Sequence, residues 1–196
     1  MKIIQSYLKS IAEVNALDIA DSGNNAGKWV FHHGMLFLSP DIWWHPFGSK
    51  TYKRKTMHEG IDILFYMDNN KQIQNLDTNT LILSATSGRI INICDDFIGK
   101  SIIISNDTCQ KQNHDFDLIF VYAHILPNKN IKTGMDLNKG DIIAKIAKTD
   151  KKKTLLSPHL HFSVIEISKT IPAEDLTWKL FSDITSKINL INPFYL

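Results

Sequence analysis

Residues 81–105 read LILSATSGRIINICDDFIGKSIIIS. Three short apolar runs stand here, Leu81 to Ala85, Arg89 to Cys94 and Ser101 to Ser105. Ser87-Gly88 cuts the first pair, and Asp95-Asp96 through Gly99 cuts the second. Runs this short, rich in β-branched side chains and bounded by Gly, Asp and Ser, read as strands rather than helices. The pattern continues outward. Ile61 to Tyr66 precedes it, and Leu118 to His124, Ile142 to Ala147 and Leu160 to Ile167 follow, with Lys139-Gly140-Asp141 as a further turn. Many short strands at this spacing predict a mainly β fold, an antiparallel sheet or sandwich.

Helical periodicity brackets the strands. Ile4, Tyr7, Leu8, Ile11 and Val14 form one apolar stripe, predicting an N-terminal helix within residues 3–17. A loop over Asp21 to Gly27 follows. Trp29-Val30-Phe31 and Met35 to Leu38, separated by His32-His33-Gly34, predict a hairpin. Near the other end, Pro172 with Glu174 and Asp175 begins a predicted helix whose ridge is Leu176, Leu180, Ile184 and Ile188.

The chain has 196 residues, 43% of them hydrophobic and 21% charged, with a formal net charge of +2. That length buries a real core, and the composition excludes wholesale disorder. A charge of +2 is thin support for a nucleic-acid binder, which needs a broad basic face with stacking aromatics. Cys94 and Cys109 are too few for a disulfide framework and too far apart for a zinc ribbon; buried or half-buried thiols are expected. No stretch reaches the ~20 apolar residues of a membrane-spanning helix. Gln5, Ser6, Lys9 and Ser10 interrupt the N-terminal apolar run, so no secretory signal is visible.

The histidines carry the chemistry. His159-Leu160-His161 opens a strand, where residues two apart share a face and both imidazoles converge. His58 and Asp62, four apart around Gly60, also share a face, and His124 ends another strand. Gly60 allows a tight turn or a close backbone approach. Three N/O ligands with one open position describe a catalytic zinc site, with other divalent ions as alternatives.

The ensemble resembles the lysostaphin-type zinc endopeptidases, which cut peptide cross-links in bacterial peptidoglycan. The resemblance rests on His58-Glu59-Gly60-Ile61-Asp62-Ile63, Ala85 to Ile90, Tyr122-Ala123-His124, Gly134 with Lys139 to Ile143, Ser157-Pro158-His159-Leu160-His161-Phe162 and the closing Asn192-Pro193-Phe194-Tyr195-Leu196. It implies one metallopeptidase domain over 47–196, preceded by an extension over 1–46 that serves as scaffold, recognition element or inhibitory segment. It further implies one zinc ion on His58, Asp62 and His161, with His124 and His159 as the metal-free catalytic pair. His159 is expected as general base and His124 as oxyanion stabiliser, the reverse being the alternative. The implied partner is a peptidoglycan peptide, met in the periplasm or outside the cell. A family member that binds wall or partner without cutting is the competing reading, and retention of all five polar residues counts against it.

Departures are equally legible. Residues 144–153 lack the glycines usual before the His-x-His, and Met67 to Thr80 and Thr170 to Leu190 read as insertions. Glu59 is expected as a solvated carboxylate beside the cleft. The basic runs Lys50 to Lys55 and Lys151 to Lys153 are expected in solvated loops, near enough to the ligand segments to rim the cleft. Trp43-Trp44-His45-Pro46 is expected to pack in the core or line a groove, and His32, His33, His45 and His114 are not expected to be ligands.

Overall fold

The computed structural model describes residues 2–23, 27–44, 53–106, 115–149, 155–181 and 187–196. Helix α1 (Ile3–Val14) is followed by β1 (Trp29–Val30), β2 (Ile61–Ile63), β3 (Phe65–Met67), β4 (Ile73–Asn75), β5 (Leu81–Leu83), β6 (Gly88–Asp95) and β7 (Lys100–Ser105). Then come β8 (Phe116–Pro127), β9 (Asp136–Leu137), β10 (Ile142–Ile146), β11 (Leu160–Ser168), α2 (Trp178–Phe181) and β12 (Ile188–Ile191). The main sheet runs β12-β11-β8-β7-β6-β9, with β2 on β11 and β10 joining β5 to β8; β1-β3-β4 form a small second sheet. Every pairing among these strands is antiparallel, so the fold is mainly β, as the strand pattern predicts.

The central strands are apolar on both faces because both faces are covered. Ile102 and Ile104 of β7, Phe120 and Tyr122 of β8, and Phe162 and Val164 of β11 enter one core cluster. Their alternate neighbours Ile103, Ile119, Val121, Ile165 and Ile167 enter another. This is the period-two alternation of a strand, with both phases buried. Helix α1 supplies Ile4, Tyr7, Leu8 and Ile11 to the first cluster, where the Tyr7 ring meets Tyr122 and Phe162. Leu176 and Phe181 close the second. Each such buried side chain contributes about 1.5–3 kcal/mol, so both helical pieces are integral to the core.

Three local expectations give way. The hairpin over 29–38 does not form: β1 pairs with β3, and residues 33–35 make a 3-10 turn. The backbone of the second run is claimed elsewhere, with Leu38 N–H donating to the His58 carbonyl and His58 N–H to the Ser39 carbonyl. The run from Ile61 to Tyr66 is two strands, because the chain changes partners at Leu64, from β11 to β1 and β4. The predicted C-terminal helix is broken. Pro172 precedes a three-residue 3-10 turn, Leu176 leaves helical geometry at ψ 87°, and its carbonyl accepts a hydrogen bond from Asn92 Nδ2. Ile188 sits in edge strand β12 opposite Ile167, not on a helical ridge; Ile184 lies outside the described residues.

Candidate metal centre and its cleft

Strands β2 and β11 bring two of the predicted ligands together by register, since Asp62 and His161 are direct cross-strand partners. His58, just ahead of β2, reaches the same point because Gly60 lies flat against β11. A Cβ at Gly60 would come within 2.3 Å of the Phe162 carbonyl oxygen, so the close approach requires glycine. His58 Nε2, Asp62 Oδ1 and His161 Nδ1 form a triangle with edges of 3.1, 2.9 and 3.1 Å. All three residues are buried.

The proton inventory of this triangle argues for a cation. His58 Nδ1 lies 3.0 Å from the Leu36 carbonyl, which can only accept, so the ring proton is on Nδ1 and Nε2 offers a lone pair. His161 Nε2 lies 2.7 Å from Ser163 Oγ; with the proton there, Nδ1 also offers a lone pair. Burial pushes the His161 imidazole down to about 3, against the pull of Asp62, which keeps it neutral near pH 7. Burial would raise the Asp62 carboxyl, but the surrounding imidazoles outweigh it and hold the group well below the usual carboxylate range. Three acceptors turned on one another repel unless a positive ion lies among them. Two neutral imidazoles and a carboxylate suit a divalent metal with one position left open.

Asp62 is anchored from behind. Its Oδ2 accepts from Trp43 Nε1 at 2.6 Å and from Arg54 at 3.3 Å, and Arg54 also donates to the Gly34 and Asp41 carbonyls. Leu36, Trp43 and Arg54 lie ahead of His58 in the chain, so the ligands are oriented by an upstream segment.

A second pair of imidazoles faces the triangle across a cleft of about 410 Å³. His159 Nδ1 donates to the Ser157 carbonyl at 2.8 Å, which leaves Nε2 as an acceptor 3.6 Å from Asp62 Oδ1. Burial pushes His159 down to about 4, with Asp62 opposing. His124 reaches the cleft through an irregularity in β8. Ile102 pairs with Tyr122 but Lys100 pairs with Ile125, so two residues, Ala123 and His124, stand where one is due. His124 has φ 62°, a conformation strained for most residues with a Cβ, and this bulge puts its ring 4.9 Å from that of His159.

Asp96, which the sequence places in a turn, holds this region. Its Oδ1 accepts from Ile98 and Gly99 N–H at 2.8 and 2.7 Å, and its Oδ2 accepts from His124 N–H at 2.8 Å and Ser101 Oγ at 3.0 Å. Burial opposes ionisation, but contact with His124 and these N–H groups holds the Asp96 carboxyl far below its ordinary range. Trp178 donates to Ser101 Oγ at 2.8 Å and stacks on His124 with the rings 19° apart. Phe97 covers the other side of His124 at 4.6 Å and is 72% exposed at the cleft mouth.

The structure gathers His58, Asp62, His161, His124 and His159 at one place. His32 and His33 lie elsewhere, against Phe65 and Asp41; His45 and His114 fall outside the described residues. Two expectations are corrected. Glu59 is not solvated but 9% exposed, drawn down with Gly60, and burial raises its carboxyl. Arg54 is not a loop charge in solvent but half-buried against Asp62, while Lys53 and Lys55 do lie exposed at the cleft rim. Trp43 and Trp44 do line this region, with Trp43 5.2 Å from His159 and Arg54 over Trp44. Lys151 to Lys153 and Cys109 fall outside the described residues; Cys94 is half-buried. Asp96, Arg54, Ser101 and Trp178 were not singled out from sequence as site residues. Asp-Asp-x-x-Gly announces only the turn, and the contacts that matter come from β7, β8 and α2.

Comparison with known proteins places the site in context. The model of peptidase family M23 matches residues 56–172, which is 117 of the 196 residues. The catalytic domain of the antimicrobial peptidase lysostaphin from Staphylococcus simulans is 18% identical, with 76% of this chain and 88% of that one covered and a TM-score of 0.44. Lysostaphin in solution is 18% identical, with 70% and 42% covered and a TM-score of 0.43. Csd3 of Helicobacter pylori is 21% identical, with 84% and 36% covered and a TM-score of 0.41. This chain thus spans less than half the length of those lysostaphin and Csd3 chains. Comparison with curated proteins gives no match. Among the described residues, no helix is long and apolar enough to cross a membrane.

Proposed function

Because this chain belongs to peptidase family M23, we propose that it is a zinc-dependent endopeptidase that hydrolyses peptide bonds of bacterial peptidoglycan. One observation carries the reading: three buried lone pairs converge within 3.1 Å of one another, beside two further imidazoles that take no part in the triangle. His58, Asp62 and His161 would hold the ion. A zinc ion there supplies Lewis acidity toward the scissile carbonyl and the attacking water. The chain's own residues supply the proton traffic. His159, with its proton fixed on Nδ1 by Ser157, presents Nε2 to accept a proton from water. His124, with one proton held on Nδ1 beside the Asp96 carboxylate 3.2 Å away, turns Nε2 to the cleft; protonated there as well, the ring donates to the developing oxyanion while the carboxylate offsets its charge. Trp43 and Arg54 hold Asp62 so that its free oxygen faces the two imidazoles.

Lys53 and Lys55 at the rim, with Arg54 below them, favour a substrate bearing carboxylates, as peptidoglycan stem peptides do. On this reading the site of action is the periplasm or the outside of the cell. The test is digestion of purified sacculi with product masses read by mass spectrometry, beside a chelated sample and His159→Ala. Cleaved muropeptides that vanish in both controls and return with zinc are expected, and their masses name the bond. Cleavage that survives the chelator would remove the metal from the mechanism, and no cleavage by zinc-loaded protein would remove the substrate.

A further inference from the structure

Asp96 makes more hydrogen bonds than a turn needs. Its two contacts to Ile98 and Gly99 N–H suffice to close the loop between β6 and β7. Of the others, one comes from Ser101 and two point at His124. Asp96 Oδ2 takes the His124 backbone N–H at the bulged position, and Oδ1 sits 3.2 Å from His124 Nδ1. Both side chains are buried, 0% exposed for Asp96 and 5% for His124. His124 Nδ1 makes no aligned hydrogen bond, and this oxygen is the carboxylate beside it. Loose geometry of this kind is common in substrate-free sites and tightens when substrate binds.

The carboxylate is fixed from its far side as well. Ser101 Oγ donates to Asp96 Oδ2 at 3.0 Å and receives the Trp178 indole N–H at 2.8 Å. A chain of three groups therefore runs from α2 to the back of His124, and the Trp178 ring also lies parallel to the imidazole. Trp178 lies beyond the residues that the family model matches, which end at 172. The C-terminal insertion thus reaches into the cleft.

We propose that Asp96 is a positioning residue of the hydrolytic site: held by Ser101 and Trp178, its carboxylate keeps the His124 proton on Nδ1 and turns Nε2 toward the cleft. The idea rests on the peptidase reading for its kinetic consequence, but its structural core does not. A carboxylate behind Nδ1 selects one of two imidazole tautomers and restrains the ring about its side-chain torsions. Removing it leaves the ring able to carry its proton on either nitrogen and free to turn, so a fraction of molecules no longer holds Nε2 toward the cleft.

The experiment uses the full chain loaded with zinc and labelled with ¹⁵N-histidine. Long-range ¹H–¹⁵N spectra report which nitrogen of His124 holds the proton, and need no turnover. Wild type is expected to show Nδ1–H, and Asp96→Asn a substantial Nε2–H population. On peptidoglycan, Asp96→Asn should lower kcat by about 10–100-fold with KM within about threefold and zinc content unchanged. Ser101→Ala, which leaves the carboxylate in place but frees it, should shift both readouts the same way by a smaller factor. That variant decides the matter if Asp96→Asn does not fold. An unchanged His124 signal in a folded, zinc-loaded variant overturns the proposal. Absence of peptidoglycan cleavage by wild type overturns the substrate reading instead, and leaves the tautomer measurement to stand alone.

Discussion

The two sides of the cleft are built in different ways. On the metal side, Asp62 and His161 are cross-strand partners, His58 is four residues from Asp62, and the geometry follows from register and short spacing. On the opposite side, His159 follows from its place two residues before His161, but His124 is delivered by a bulge, a left-handed φ and a carboxylate from a separate loop. Their supports also come from different places. Leu36, Trp43 and Arg54 hold the metal ligands from upstream, whereas Ser101 of β7 and Trp178 of α2 hold Asp96. A site can thus keep its ion-binding half on local pattern while its proton-handling half depends on distant parts of the chain.

Separate replacements should pull the two halves apart. His161→Ala should reduce bound zinc, measured by elemental analysis, from one ion to near none and take hydrolysis to background, a loss beyond about 10³-fold. His124→Ala should keep its zinc and lose about 10²–10⁴-fold in kcat. Loss of zinc in His124→Ala would break the comparison, because the halves would then share one support.

Acid should reveal the imidazoles that both halves bury. His159 and His161 are lowered to about 4 and about 3, below the ordinary 6.5. Between those values and 6.5 the unfolded chain binds more protons than the folded one, so stability falls as pH falls through that window and is fully present above it. The metal-free protein should lose up to about 1.4 kcal/mol per pH unit for each of the two rings. Thermal melts from pH 7.5 to 4.5 check this, and His159→Ala should flatten the slope by one proton.

Gly60→Ala places a methyl 2.3 Å from a backbone oxygen that cannot swing away. A cost of about 2–3 kcal/mol is expected, roughly 5–10 °C in Tm, together with weaker zinc binding. An unshifted Tm would mean that β2 and β11 can part without harm. The smallest effect belongs to the rear anchor. Trp43→Phe keeps the ring but removes the N–H on Asp62, so zinc affinity by chelator competition should weaken about 10–100-fold, with kcat at saturating zinc within about threefold. A large drop in kcat with affinity intact would assign Trp43 to the opposite half.

What could be read in advance follows the same division. The strands β5 to β8 and β10 to β11 are legible because each is bounded by turn residues and carries a dense run of Ile, Val, Leu or aromatic side chains. Strands β4 and β12 escape notice, as Gln74 and Asn189 break their apolar character, and β9 is two residues long. The broken C-terminal helix is hidden because Leu176 and Ile188 fit a helical ridge as well as they fit their actual places, the end of a 3-10 turn and an edge strand packed on one core. The five polar residues of the cleft were legible from spacing and resemblance. The groups behind them were not, since Leu36 acts through a carbonyl and Asp96 through an oxygen that its turn does not need.

Strand β8 behaves like a lattice with a dislocation in it. From Phe116 to Tyr122 its side chains keep one phase, and from Ile125 onward they keep another, displaced by a single residue. Deleting Ala123 would heal the fault and give an uninterrupted strand, with His124 then falling in step with its neighbours. Such a chain would be the more regular protein and the poorer catalyst. One surplus residue, which stores its strain where two imidazoles must meet, separates a piece of β-scaffold from a reaction centre.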